Sequence, residues 1–156
     1  MGTLADILRG GCLCGDVRYE LREEPLTAVF CHCRGCQLAH ASPSSALALI
    51  PFGGVSILTG SPVRREHLAE SGVANFREFC GSCGSQLFSG NVDSREFLSV
   101  KIVTLDDPSS ISPVAHVYMK RKINWDPVED GLPQFSDFPE IAELKRLWSI
   151  AQSGAA

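Results

Sequence analysis

Along most of this chain, apolar and polar residues alternate in short stretches instead of recurring at helical spacing. Residues 17–21 (VRYEL), 27–31, 46–50, 55–58, 75–79, 97–103 and 114–118 show the period of two, or the brief apolar run, of a β-strand. Turn-forming clusters separate them at 42–45 (SPSS), 51–54 (PFGG), 60–62 (GSP), 70–72 (ESG) and 106–108 (DDP). Ser71-Gly72 falls between segments 64–68 and 73–79 and predicts a hairpin, although the first arm alternates poorly. Only residues 139–152 carry a convincing helical period. There Ile141, Leu144, Leu147, Trp148 and Ala151 form one stripe, Asp137 is the expected cap, and the stripe is expected to pack onto the sheet. One short helical turn is expected after Cys33. The fold class is therefore mainly β with a C-terminal helix.

The length of 156 residues fits a single domain that buries roughly two-thirds of the surface of its unfolded chain, so disulfide staples are not needed for a core. A net charge of −4 and a single basic run, Lys120-Arg121-Lys122, argue against a nucleic-acid partner; the run is expected at a solvated strand end. No apolar run approaches the ~20 residues that span a bilayer, and no membrane partner is expected. The opening MGTLADILRGG lacks the pattern of a secretory signal, and Asp6 breaks the myristoylation pattern that Met-Gly begins. The expected location is cytoplasmic.

Cysteine changes this picture most. The seven fall into three groups: Cys12 and Cys14; Cys31, Cys33 and Cys36; Cys80 and Cys83. In a reducing compartment such close-spaced thiols are more often metal ligands than disulfides. "FCGSCG" reads as a zinc knuckle, two thiolates presented from a tight turn with Gly84 leaving room for N–H groups beside the sulfurs. A thioredoxin-like redox pair would lie between a strand and a long helix, whereas "SQLFS" after the knuckle reads as strand. "GGCLCG" is its natural complement, because a Cys12–Cys14 disulfide would close a very small strained ring. Cys12, Cys14, Cys80 and Cys83 would make a saturated, structural Cys₄ zinc site, although spacing alone does not say which pair meets which.

The remaining Cys31, Cys33 and Cys36 stand as C-x-C-x-x-C. Three protein ligands are the pattern of a catalytic zinc, whose fourth position takes water or substrate. Three thiolates make the ion a weaker Lewis acid than histidines would, but suit it to a soft fourth ligand, a thiol held as thiolate nucleophile. Two other readings stay open. His32 or His40 could close the site, Cys36 and His40 being four apart on any helix face, or the three thiols could simply be buried and reduced. His32 would point away if its segment is extended. A deaminase-type zinc site needs H-x-E ahead of P-C-x-x-C, and "HAS" and "REFCGSC" lack both the Glu and the Pro.

In chain order, "GGCLCGDVRYEL", "FCHCRGCQ", "FREFCGSCGSQLF", "LDDPSSISPVAHVYMKRKINW" and "DGLPQF" resemble the glutathione-dependent formaldehyde-activating enzyme family, which includes centromere protein V, over about residues 11–135. The resemblance implies a zinc-containing β-tent of several small coiled antiparallel sheets. It implies two zinc ions per chain: a structural one on Cys12, Cys14, Cys80 and Cys83, and a catalytic one on Cys31, Cys33 and Cys36. It implies a carbon–sulfur lyase activity run in the direction of S-hydroxymethylglutathione, with glutathione and formaldehyde as small-molecule partners.

The chain departs from the family pattern after the third cysteine. Members run through Ser or Thr and then Gly before the next Ser, whereas "CQLAHAS" has His40 and Ala41 there. If that position needs a positive φ, Ala41 costs on the order of 1 kcal/mol, and a reshaped loop is expected. His40 is a candidate general base for an incoming thiol or water. His116, next to the family's Pro-x-x-His match at Pro113, is expected to be a satisfied structural histidine. Trp125, Asp130, Gly131 and Pro133 are expected to shape a loop, "DGLP" being a turn by its own chemistry. The leading expectation is a zinc enzyme acting on a thiol and a small aldehyde. The alternatives are a non-catalytic zinc module that binds a thiol or a protein, and a zinc hydrolase using His40 as base.

Overall fold

A computed structural model of the chain describes residues 6–154. The Met1-Gly2 start weighed above for lipidation lies outside the described residues. In chain order the elements are β1 (Arg9–Gly11), β2 (Arg18–Leu21), β3 (Thr27–Cys31), α1 (Arg34–His40), β4 (Ser45–Pro51), β5 (Val55–Thr59), β6 (Val63–Leu68), β7 (Ala74–Phe79), β8 (Gln86–Asn91), β9 (Phe97–Lys101), β10 (Ala115–Val117) and α2 (Ile141–Gln152). The fold is mainly β with a C-terminal helix, as the alternation predicts. The chain forms two compact units, one from the residues up to Glu24 with Ile50–Ser110, the other from Pro25–Leu49 with Ile111 onward.

In the first unit β2 pairs antiparallel with β1 on one side and β5 on the other, and β6, β7, β8 and β9 follow one another as an antiparallel meander. Tyr19 of β2 is wholly buried, meets Phe88 edge-on at 5.0 Å and places its hydroxyl 2.7 Å from Thr104 Oγ1. That ring explains the glycine of β1: a Cβ on Gly10 would lie 2.5 Å from both the Tyr19 hydroxyl and the Thr104 carbonyl. The RGG strand carries no alternation, so the sequence pattern does not announce it. β9 ends at Lys101 instead of running to 103, because Ile102–Thr104 tightens into a 3₁₀ turn.

In the second unit β3 is the centre. β4 pairs antiparallel with it from Thr27↔Leu49 to Cys31↔Ser45, and β10 pairs parallel with it from Ala115↔Val29 to Val117↔Cys31. Thr27, Ala28, Val29 and Cys31 are all buried, the mark of a strand covered on both faces. Helix α2 contributes Leu144, which is fully buried, and the Leu144 carbonyl accepts a 3.0 Å hydrogen bond from Thr27 Oγ1. The stripe therefore docks on β3, although Ala151 at its end is exposed.

Three local expectations change. Asp137 does not cap α2: the helix begins after Glu140, and the Asp137 carboxylate pairs with Lys120 while its carbonyl accepts from the Tyr118 N–H. Pro139 follows Phe138, a position that disfavours helical backbone just before it, so Asp137 lies too far upstream to cap. Lys120-Arg121-Lys122 lies in and just after a 3₁₀ turn, Met119–Arg121, because Tyr118 turns left-handed (φ 58°) and ends the strand direction. Finally, Ala41 meets the left-handed requirement directly. Its φ of 49° and ψ of 45° cap α1, with its N–H returning to the Gln37 carbonyl.

An alanine in that conformation stores strain that a glycine would not. Ala41→Gly should therefore raise the unfolding free energy by about 0.5–1 kcal/mol, the relief being partly offset by the added freedom of the unfolded chain. Denaturant melts of the two proteins measure this, and a less stable glycine variant would contradict the left-handed assignment.

Candidate metal centres

The first unit gathers Cys12, Cys14, Cys80 and Cys83, whose sulfurs all lie within 4.8 Å of one another. Two tight turns bring them there. After β1 the chain reverses through Cys12 N–H to the Val17 carbonyl (3.1 Å) and Gly15 N–H to the Cys12 carbonyl (3.2 Å). After β7 it reverses through Cys80 N–H to the Ser85 carbonyl (3.0 Å) and Gly84 N–H to the Cys80 carbonyl (2.8 Å). Gly84 has φ +79° with open space where a Cβ would stand, so backbone conformation and not crowding selects glycine there.

Cys14 Sγ lies 3.6 Å from Cys12 Sγ and 3.7 Å from Cys80 Sγ. A disulfide would hold two sulfurs ~2.05 Å apart, whereas four sulfurs tetrahedrally placed ~2.3 Å from one ion stand ~3.8 Å from each other. The donor set thus fits a thiophilic divalent ion. Polar hydrogens approach the sulfurs as well: Val17 N–H donates to Cys12 Sγ at 3.2 Å, and Ser85 Oγ, itself fixed by the Leu13 N–H at 3.0 Å, lies 3.2 Å from Cys83 Sγ. The Ser85 hydroxyl and amide hold the Cys83 thiol down to about 6. Against the pull of the Asp16 N–H, desolvation and the neighbouring thiols push Cys14 up to about 12. Four thiols this close do not ionise together without a cation between them.

In the second unit Cys31 ends β3, Cys33 caps α1 and Cys36 lies in its first turn; their sulfurs also lie within 4.8 Å of one another. The Cys33 sulfur is the cap itself, accepting the Cys36 N–H at 3.3 Å. Cys31 and Cys36 are both 4 % exposed. The Cys33 and Cys36 thiols, with burial behind them, push Cys31 well above its ordinary value. This trio too fits a cation as the partner that would let it ionise. His40 closes α1 one turn beyond Cys36, and the gathered ligand atoms comprise the three cysteines without it.

Sequence reasoning passed over two supports. Gln37, 5 % exposed, spends both amide hydrogens on carbonyls, donating to His32 at 3.0 Å and to Arg121 at 2.8 Å. A polar residue in a short helix gives no periodic signal that would single it out. The second support is a chain of side chains. His32 Nε2 lies 2.9 Å from His116 Nδ1, and His116 Nε2 lies 2.7 Å from Asp130 Oδ2, with the Phe30 ring stacked on His116 at 4.8 Å. His32 does point away from the thiols, into this chain. His116 is a satisfied histidine as expected, and Asp130 does more than shape its loop. Its neighbours still build that loop: Gly131 has φ +77°, and the Pro133 carbonyl accepts the His116 N–H at 2.8 Å.

Beside α1 opens a cleft of about 320 Å³, lined by Arg34, Gln37, Leu38, Ala41, Ile123 and Trp125 among others. Trp125 is 72 % exposed and Leu38 66 %, so the cleft offers an apolar wall, and Arg34 also lines it. Among the described residues no helix is long and apolar enough to cross a membrane.

The model of the family described as glutathione-dependent formaldehyde-activating enzyme matches residues 7–121, which include all seven cysteines. None of the curated proteins matches the chain. Among solved structures, the crystal structure of a Rhodobacter sphaeroides protein from a structural genomics programme is similar at a TM-score of 0.51 and 18 % identity, over 81 % of this chain and 98 % of that one. At that identity the likeness concerns the fold alone. The family match spans most of the chain and all three cysteine groups, and on that ground the chain belongs to the glutathione-dependent formaldehyde-activating enzyme family.

Proposed function

We propose that this chain is a cytoplasmic zinc enzyme that joins glutathione to formaldehyde, giving S-hydroxymethylglutathione. The observation that carries the reading is the convergence of Cys31, Cys33 and Cys36, which form a group of three thiols among the described residues, in a chain of this family. In this reading Cys12, Cys14, Cys80 and Cys83 hold a closed, structural zinc, and the trio holds the second. Zinc on three thiolates supplies one remaining coordination position that favours the ionised form of a thiol.

The chain's own residues do the rest. The trio stands at the start of α1, and the cleft runs along the same helix, so a thiol-bearing tripeptide can lie against Trp125 with a carboxylate near Arg34. Gln37 fixes the His32 carbonyl and thereby the peptide between two of the thiols. In the reaction the sulfur forms a bond to the aldehyde carbon, the C=O π pair moves to oxygen, and the proton released by the thiol ends on that oxygen. Thiols add to formaldehyde readily unaided, so holding the two partners together supplies most of the acceleration. His40, at the far end of α1, remains the candidate base for the thiol proton.

Two substitutions test the division of labour. Cys80→Ser should abolish cooperative folding, because it opens the closed site that ties β1 to β7. Cys36→Ser should keep a cooperative melt, lose one zinc per chain and lose glutathione-dependent formaldehyde consumption above the uncatalysed rate. Full activity of Cys36→Ser in a zinc-free assay would overturn the reading.

Metal retention should also depend on pH. Cys31 and Cys33 in the trio and Cys14 in the four-thiol set are all held up, so both sets keep protons that metal binding must displace. As pH falls, protons compete with the ion, by ~tenfold in affinity per pH unit for each proton displaced. Zinc analysis after dialysis across a falling pH series should show bound zinc lost as the pH drops, and retention independent of pH would contradict ligation by thiolates.

A further inference from the structure

His32 is held at every polar point but one. Its N–H donates to the Val117 carbonyl at 3.0 Å, its carbonyl accepts from Gln37 Nε2 at 3.0 Å, and its ring Nε2 meets His116 at 2.9 Å. His32 is 1 % exposed, and its Nδ1 is buried without a hydrogen-bond partner among the described residues.

The order of hydrogens along the chain follows from its outer end. The Asp130 carboxylate is an acceptor, so His116 carries its hydrogen on Nε2 and presents Nδ1 as a lone pair. His32 must then donate from Nε2, which leaves its buried Nδ1 as a lone pair and no buried N–H unsatisfied. Asp130 is itself anchored, since its Oδ1 accepts the Leu132 N–H at 3.0 Å. An exposed carboxylate thus dictates the tautomer and orientation of a ring between the residues that carry two of the three gathered thiols.

We propose that Asp130, His116 and His32 form a positioning array that sets the metal affinity of the Cys31/Cys33/Cys36 site. The array acts through the backbone: a fixed His32 ring holds the Cys31–Cys33 peptides in the conformation that makes the sulfurs converge, so the ion meets a preformed site. His32 touches neither ion nor substrate in this role, and His116 and Asp130 act only through it. The inference rests on the reading of the trio as a zinc site.

The experiment uses the zinc-loaded protein. Parent, Asp130→Ala and His116→Phe are equilibrated with graded concentrations of a chromogenic zinc chelator, and the ion missing from Cys36→Ser identifies the trio's zinc. Asp130 is 41 % exposed in its side chain, so its truncation spares the fold, and phenylalanine retains the stacking on Phe30. Removing an outer partner of a metal site typically costs ~10–100-fold in affinity, so the trio's zinc should leave Asp130→Ala at about tenfold lower chelator while the four-thiol zinc is unmoved. Imidazole ¹⁵N spectra of the parent should show neutral His32 with its hydrogen on Nε2, and a mixture of tautomers in Asp130→Ala. Unchanged affinity in Asp130→Ala, equal weakening of both zincs, or a His32 hydrogen on Nδ1 in the parent would each overturn the array. A parent that carries a single zinc would instead overturn the zinc reading of the trio, and the array with it.

Discussion

Thiols brought to 3.6–3.7 Å without bonding to one another, as Cys14 is to Cys12 and Cys80, impose a condition on everything around them. Each ionised sulfur raises the cost of ionising the next. The local fold answers with N–H groups: Val17 on Cys12, and Cys36 on Cys33. These bonds are too few for four or three negative charges. A cation would supply the remaining counterweight, and the short, hydrogen-bonded turns at 12–17 and 80–85 gather the sulfurs so that they could hold one.

In the second unit the condition is more severe, because Cys31 and Cys36 are buried. The response is rigidity. β3 is covered on both faces and runs straight into the trio, and Cys33 caps the helix that carries Cys36. Gln37 and the His32–His116–Asp130 chain then fix the single residue between the first two thiols. Strain is accepted nearby, at Ala41, to end α1 after two turns. The cleft lined by Gln37, Leu38 and Ala41 lies along the same helix.

Much of this was legible in the residues. The bounds of β3 and the hairpin turn at Gly72 follow from alternation and turn chemistry, and the apolar stripe of α2 does bury Leu144 on β3. The three cysteine groups of the sequence gather into two clusters in space, although spacing alone does not say which pair meets which. Other features had no local signal. β1 is three residues with two glycines, chosen by the Tyr19 ring packed over it. The parallel pairing of β10 with β3 joins segments more than eighty positions apart, as do the rings of His32 and His116 (84 apart). Such contacts depend on topology, which periodicity does not encode. Asp137 misled for the opposite reason: a residue well suited to capping was taken by Lys120 instead.

In the proposed function one thiol cluster is closed and the other open to a thiol. Zinc per chain, measured before and after mild chelation with and without glutathione, tests it most directly. The account requires two zincs, one easily removed and protected by glutathione, the other resistant throughout. Two equally resistant zincs, indifferent to glutathione, would contradict it.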